Sequence, residues 1–135
     1  MDKLLALFFL TAFIACIFAC GCADQNPEGG MSLALVGVIA DKPVYHSAEL
    51  LNITLAVNSS RSVQGVNVSL TGLNGRLNER KTMDLNEGSN QISIAYKLPR
   101  CNVCGGIKAG IYNITCRVDY ENISSESSVV IDVQQ

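Results

Sequence analysis

The chain has 135 residues, a formal net charge of −2 and 48% hydrophobic residues, and it contains no tryptophan. A charge this close to zero, without a basic stripe or cluster, argues against nucleic acid as a partner. Aromatic residues make up only 6% of the chain, which disfavours a stacking platform for bases or sugars.

The N-terminal residues predict export. An uncharged apolar run from Leu4 to Ala19 follows Lys3. At about 16 residues it is shorter than the roughly 20 of a membrane-spanning helix, so a signal peptide is favoured over an anchor. We interpret residues 1–22 as a signal peptide or anchor helix. Residues 23–31, with Pro27 and Gly29–Gly30, are expected to form a flexible spacer, and residues 32–135 one domain.

The end of the apolar run resembles the lipobox of bacterial and archaeal lipoproteins, in which the peptide is cut before a cysteine that receives the lipid. Cys22, preceded by Ala19, Cys20 and Gly21, fits this pattern best. Cys20 fits less well because the bulky Phe18 lies two residues before it. The resemblance implies a lipid at Cys22 and a location on the extracellular face of the cell membrane. An ordinary cleaved signal and an uncleaved anchor helix are the alternatives.

From residue 31 onward, apolar and polar residues alternate at period two, which is typical of half-buried antiparallel strands. Stretches rich in Asn, Ser and Gly separate the alternating runs and predict turns. The runs cover residues 32–40, 51–57, 66–70, 81–85, 92–98, 112–120 and 129–133, of which 81–85 is the weakest. About seven short strands in about 100 residues predict an all-β fold, an Ig-like antiparallel β-sandwich.

Residues 41–49, DKPVYHSAE, resemble the Asp-Lys-x-x-Tyr-x-Pro-Gly-Glu segment between the first two strands of macroglobulin-type sandwich domains. Gly110-Ile111-Tyr112 resembles the Gly-x-Tyr near their penultimate strand. Similar patterns occur in CARDB-like modules of archaeal and bacterial surface proteins. The resemblance implies a spacer or binding domain without catalytic residues. Ser47-Ala48 stands where Pro-Gly is usual, so the turn there is expected to differ.

Among the residues after the predicted signal peptide, the cysteines are the most specific indication of chemistry. They lie in the stretch Cys101-x-x-Cys104-Gly-Gly and at Cys116. Outside the cell, a disulfide between Cys101 and Cys104 is favoured, with Cys116 as a buried thiol; a pair that uses Cys116 is the alternative. A lone Cys-x-x-Cys supplies only two of the four ligands of a structural zinc. A redox motif would place Cys101 at the start of a helix, but two glycines follow Cys104. No metal and no cofactor is assigned.

Five Asn-x-Ser/Thr sequons are possible N-glycan acceptors in an exported chain. They are Asn52, Asn58, Asn67, Asn113 and Asn122. The alternation predicts that Asn52, Asn67 and Asn113 point outward, while Asn58 and Asn122 are expected in turns. A polar outer strand face produces the same tripeptides without any glycan. His46 is the one histidine of the chain and is expected in a surface turn.

These patterns favour a non-enzymatic, membrane-tethered interaction or structural module at the cell surface. The expected partners are the membrane, through the N-terminus, and a protein bound at an edge strand or at the loop from Pro99 to Gly110. The alternative is a redox or metal-handling accessory protein that acts through Cys101 and Cys104.

Overall fold

The computed structural model describes residues 30–101 and 106–135. The predicted signal peptide or anchor helix, Cys22 and Cys104 therefore lie outside the described residues. Met31–Gln135 forms one compact unit. Within the two described ranges, no helix is long and apolar enough to cross a membrane.

Eight strands form the described part of the chain. They are β1 (Leu33–Ala40), β2 (Val44–His46), β3 (Leu50–Ser59), β4 (Val63–Gly72), β5 (Leu77–Leu85), β6 (Gly88–Lys97), β7 (Gly110–Tyr120) and β8 (Ile123–Gln134). A single 3-10 turn, Leu73–Gly75, joins β4 to β5. The seven predicted runs correspond to strands of this set. The eighth strand, β2, lies inside the segment 41–49 and was predicted only as a connection.

The strands form two sheets, with the orders β1-β3-β6 and β2-β8-β7-β4-β5. This confirms the predicted all-β, two-sheet architecture. Among the eight strands one pairing is parallel, that of β2 with β8. The strand β1 pairs with β3 in the three-stranded sheet, whereas β2, which follows it, pairs with β8 in the five-stranded sheet. Residues 41–43 therefore carry the chain from one sheet to the other.

The core lies between the two sheets and follows the alternation of the sequence. On β3, for example, every second side chain is fully buried and the intervening ones are partly or wholly exposed. Each buried aliphatic side chain contributes about 1.5–3 kcal/mol relative to an exposed one. Gly72 marks a point of close packing, because a Cβ there would lie 2.8 Å from Ile114 Cδ1 and 2.9 Å from the Asn113 carbonyl oxygen.

The loops gather at two opposite ends of the sandwich. At the first, which we call the entry end, the chain arrives at β1, and Leu33 pairs with Ser59. The second, the far end, carries residues 41–49, 98–101 and 106–109, together with the last residues of β8. The strand β7 joins the two ends with 11 residues. At about 3.3 Å per residue, the ends are therefore about 35 Å apart.

Candidate functional site

The segment 41–49 is fixed at the far end by a buried tyrosine. Tyr45 has no exposed surface, and its hydroxyl donates a hydrogen bond to the Asp41 carboxylate. The same hydroxyl accepts a hydrogen bond from the Lys42 backbone N–H at 3.0 Å. Asp41 also accepts hydrogen bonds from Asn52, from the backbone N–H at 3.2 Å and from Nδ2 at 3.1 Å. The segment therefore has a defined structural role, which is to fasten the crossing between the sheets.

Glu49 fastens the second half of the segment. Its carboxylate pairs with Lys42 Nζ and accepts a hydrogen bond from the His46 backbone N–H at 2.8 Å. The His46 side chain is 65% exposed, and its Nδ1 lies 3.8 Å from Glu49 Oε2. His46 ends β2 instead of lying in the predicted turn. These contacts leave the histidine facing solvent beside one carboxylate.

The network shifts the titration of its members. The hydrogen bond from the Tyr45 hydroxyl, together with the Asn52 contacts, holds the pKa of Asp41 below its usual value and outweighs the opposing effect of burial. Lys42 and then the His46 backbone N–H lower the pKa of Glu49. Burial, followed by the contact with Asp41, raises the pKa of Tyr45 to about 12. The two carboxylates are therefore stabilised in their charged forms when the chain is folded.

This predicts a loss of stability in acid. Because the pKa values of Asp41 and Glu49 are lower in the folded than in the unfolded chain, their contribution is complete above about pH 4–5 and disappears as pH falls through the folded values. Urea unfolding of the wild type at a series of pH values should show a falling midpoint in this range. Asp41→Asn should start lower and fall less steeply. Parallel curves for the two proteins would contradict the assignment.

Ala48 adopts a backbone conformation that favours glycine. Its φ is 64°, and the turn closes with a hydrogen bond from the Glu49 N–H to the His46 carbonyl at 3.1 Å. A side chain in this left-handed region costs about 1–2 kcal/mol, partly offset by the larger entropy that glycine loses on folding. Ser47-Ala48 stands where the resembling segments have Pro-Gly, and its second residue has a left-handed backbone of the kind that glycine favours.

Ala48→Gly is therefore expected to raise the free energy of unfolding by about 0.5–1 kcal/mol. Ala34, exposed near the start of β1, offers the matched control. Ala34→Gly should lower stability by a similar amount, because glycine only adds entropy loss there. Chemical denaturation compares the three proteins, and a destabilised Ala48→Gly variant would refute the conformational explanation.

Cys101 lies at the far end and is half-buried. Its backbone N–H donates to Ser47 Oγ at 2.8 Å, and its Sγ lies 3.9 Å from the Gln134 carbonyl oxygen. Gln134 is also the register partner of His46, so the first cysteine of the Cys-x-x-Cys and the histidine share this end. The pair with Cys104 stays a prediction, since that residue lies outside the described ranges.

Cys116 is fully buried in the middle of β7, opposite Leu70 and Ser127. Burial raises the pKa of its thiol to about 11, so the thiol stays protonated at neutral pH. Among the described residues, neither Cys116 nor Cys101 forms a disulfide. Gly110, at the far end, lies six residues along β7 from Cys116, or about 20 Å. The arrangement fits a structural thiol.

The five sequons differ in accessibility. Asn67, Asn113 and Asn122 are exposed, and Asn122 lies in the turn between β7 and β8 as predicted. Asn58 is also exposed, but it lies inside β3 and not in a turn, because antiparallel pairing with β6 continues to Ser59. Asn52 is partly buried, and its side-chain amide is already hydrogen-bonded to Asp41. Asn52 is therefore the least suitable acceptor of the five.

A polar depression of about 530 Å³ lies on the outer face of the five-stranded sheet, between β5 and β8. Arg80 and Arg117 lie on either side of Ser69 in the strand register. Arg117 Nε donates to both carboxylate oxygens of Asp119, at 2.8 and 3.0 Å, and Glu126 is the cross-strand partner of Arg117. Two acids thus balance the two arginines, which makes the depression suitable for polar contacts but without net charge.

Metal ligands are not gathered in the described part of the fold. Within residues 30–101 and 106–135, no group of three or more His, Cys, Asp or Glu side chains is placed to hold a metal ion.

No protein-family model matches the sequence, and no curated protein matches it. Solved structures match its fold. One is the CARDB domain of the PF1109 protein from Pyrococcus furiosus in complex with di-metal ions. It superposes with a TM-score of 0.53 at 15% identity over 78% of this chain and 88% of that domain. The fold is CARDB-like.

Similar domains also occur within larger proteins. The β-glucosidase EmGH1 from Erythrobacter marinus matches with a TM-score of 0.58 at 15% identity, over 77% of this chain but 16% of its own. The alkylpurine DNA glycosylase AlkC from Pseudomonas fluorescens, bound to DNA containing an abasic site analog, matches with a TM-score of 0.53 at 12% identity, over 78% and 30%. Similarity at this level of identity shows a shared fold alone. The metal ions and the DNA are therefore properties of those structures and are not transferred to this chain.

Proposed function

We propose that this chain is a non-enzymatic module tethered to the extracellular face of the cell membrane through Cys22, with its far end presented to a protein partner. The observation that carries the proposal is the separation of the two ends. The chain enters the sandwich at β1, and residues 98–101 and 106–109 lie about 35 Å away at the other end of β7. A tether at the N-terminus would therefore leave the far end free to contact a partner.

The chemistry of the described residues supports a binding role. The far-end network is saturated by its own contacts, and the depression on the five-stranded sheet balances its charges internally. Exposed apolar side chains lie near the far end, among them Ile39 and Ile111, with 68% and 77% of their surface accessible. Ile39 lines one shallow depression together with Val38, Val129 and Val130, and contiguous exposed apolar groups are typical of contact surfaces. We include Asn58, Asn67, Asn113 and Asn122 in the proposal as glycan acceptors.

Membrane fractionation of the expressing cells tests the proposal. The chain is expected in the membrane fraction, resistant to salt and alkaline washing, and accessible to protease added outside the cell. Release by salt alone, or protection from external protease, would contradict the tethered surface location.

The second candidate is a redox or metal-handling accessory protein. It is favoured by the position of Cys101, which is partly accessible and lies at the same end as His46. Thiol titration with and without reductant, combined with metal analysis of the purified chain, separates the two candidates. An unreactive disulfide without metal supports the interaction module, whereas reactive thiols or bound metal support the accessory protein.

A further inference from the structure

The two sheets have four edge strands, and three of them are blocked. In the three-stranded sheet, β1 carries a bulge between Leu35 and Gly37. The Leu35 backbone N–H donates to Ser125 Oγ of β8 at 2.9 Å, so β8 covers this edge. In the five-stranded sheet, β2 has only three residues, and β1 lies beside the part of β8 that β2 leaves unpaired. Bulges, cover and short length are the features by which natural sheets prevent pairing with another chain.

The remaining edge of the five-stranded sheet, β5, is protected by charge. Glu79 and Lys81 are the register partners of Leu70 and Val68, both fully buried, so by the alternation they occupy the inward-facing side of β5. Inward-facing charges on an edge strand would be desolvated by a strand added beside them. In addition, Lys81 would face its own copy if two β5 strands paired about their centre.

The fourth edge, β6, has none of these features. Its ten residues pair with β3 in an unbroken register, and among the described residues no strand pairs with its other side. From Gly88 to Tyr96 it contains neither proline nor charge. Its inward side carries Ile92 and Ile94, and Ser93 between them is exposed on the outer face. A long, uncharged, regular edge is a ready template for another strand.

We propose that two copies of this chain associate through β6, antiparallel about a two-fold axis near Ser93, to form one continuous six-stranded sheet. Pairing about Ser93 would place Ile92 opposite the partner's Ile94, and Gln91 opposite the partner's Ala95. Both are compatible cross-strand pairs, and no like charges meet. A two-fold contact of this kind is self-complementary and closes at the dimer.

The outer face of the three-stranded sheet is compatible with this extension. Thr54 Oγ1 lies 3.4 Å from Ser93 Oγ, a hydroxyl contact across β3 and β6. Gln91, Ser93 and Ala95 are exposed and uncharged beside it. A second copy would continue this row of uncharged side chains without burying a charge. The association rests on the β6 edge alone and does not depend on the membrane tether.

Sedimentation equilibrium of the domain from residue 31 to 135 tests the dimer, because the hydrophobic core lies within this unit. We expect the wild type to dimerise reversibly. Ser93→Lys and Ser93→Asp should each weaken association by about tenfold or more, since like charges then meet at the axis. An equimolar mixture of the two variants should recover the dimer, because opposite charges then face each other.

Ser128→Lys is the matched control, because Ser128 is likewise an exposed serine on an outer strand face but lies on β8, in the other sheet from β6. This variant should dimerise like the wild type. Amide hydrogen exchange should show protection in β6 that grows with protein concentration. A wild type that stays monomeric up to about 1 mM would overturn the proposal. So would a dimer equally stable in both Ser93 variants, or one whose concentration-dependent protection lies outside β6.

Discussion

Tyr45→Ala is expected to lower the free energy of unfolding by about 3–5 kcal/mol, the loss typical of removing a large buried aromatic side chain. The ring is fully buried, and its hydroxyl is held between Asp41 and the Lys42 backbone N–H. Alanine would leave a cavity and would remove the hydroxyl donor of the Asp41 carboxylate. Domains of this size are stable by about 5–15 kcal/mol, so the variant should be close to the limit of folding.

Tyr45→Phe separates the two contributions. It keeps the ring and removes only the hydroxyl, so a smaller loss of about 1–2 kcal/mol is expected from the broken hydrogen bonds. It should also reduce the acid sensitivity, because the Tyr45 hydroxyl is the main cause of the lowered pKa of Asp41. Urea unfolding of the two variants at neutral pH and near pH 3.5 measures both effects. Equal losses for Ala and Phe would refute the structural role of the ring.

Cys22→Ala is expected to abolish lipid attachment and with it the proposed tether. The lipobox-like residues before Cys22 make this thiol the proposed acceptor, and alanine has no sulfur to acylate. A single acyl chain binds membranes only marginally, so stable anchoring through lipid requires at least two chains or a second signal. Because the variant lacks the proposed acceptor thiol, incorporation of a labelled lipid precursor into the expressed chain should fall to background.

Cys20→Ala is the matched control, because it removes a neighbouring thiol that fits the lipobox less well. Incorporation should match the wild type. Labelling that persists in Cys22→Ala and disappears in Cys20→Ala would move the acceptor to Cys20. Labelling absent from the wild type would contradict lipidation altogether.

The alternation of the sequence was sufficient to predict the two-sheet core, because each strand buries one face and the side-chain period of a strand is two. The alternation failed to predict strands whose extent depends on the neighbouring strand and not on their own side chains. The strand β5 begins at Leu77, whereas the sequence predicted a start at residue 81. The prediction was too short because the charges at Glu79 and Lys81 interrupt the apolar alternation on this edge strand. The strand β2 directly follows Pro43 and has only three residues, which are too few to show a period of two.

The side-chain contacts at the far end could not be predicted from the sequence for a related reason. The resemblance at residues 41–49 identified the segment but not its partners. Asp41 meets Asn52, 11 positions along the chain, and the Cys101 N–H meets Ser47, 54 positions away. The first pair continues the pairing of β1 with β3, and the second arises where two loops meet at the far end. Neither leaves a local pattern in the sequence. The edge properties of β6 are different, because once the strand order is known they can be read directly from its residues.

Mass spectrometry of the mature chain extracted from membranes tests the tethered module most directly. The predicted result is a chain that begins at Cys22 and carries a lipid on that residue. A mature chain that begins at another position without lipid, or one that retains Met1 without lipid, would contradict a lipid tether at Cys22.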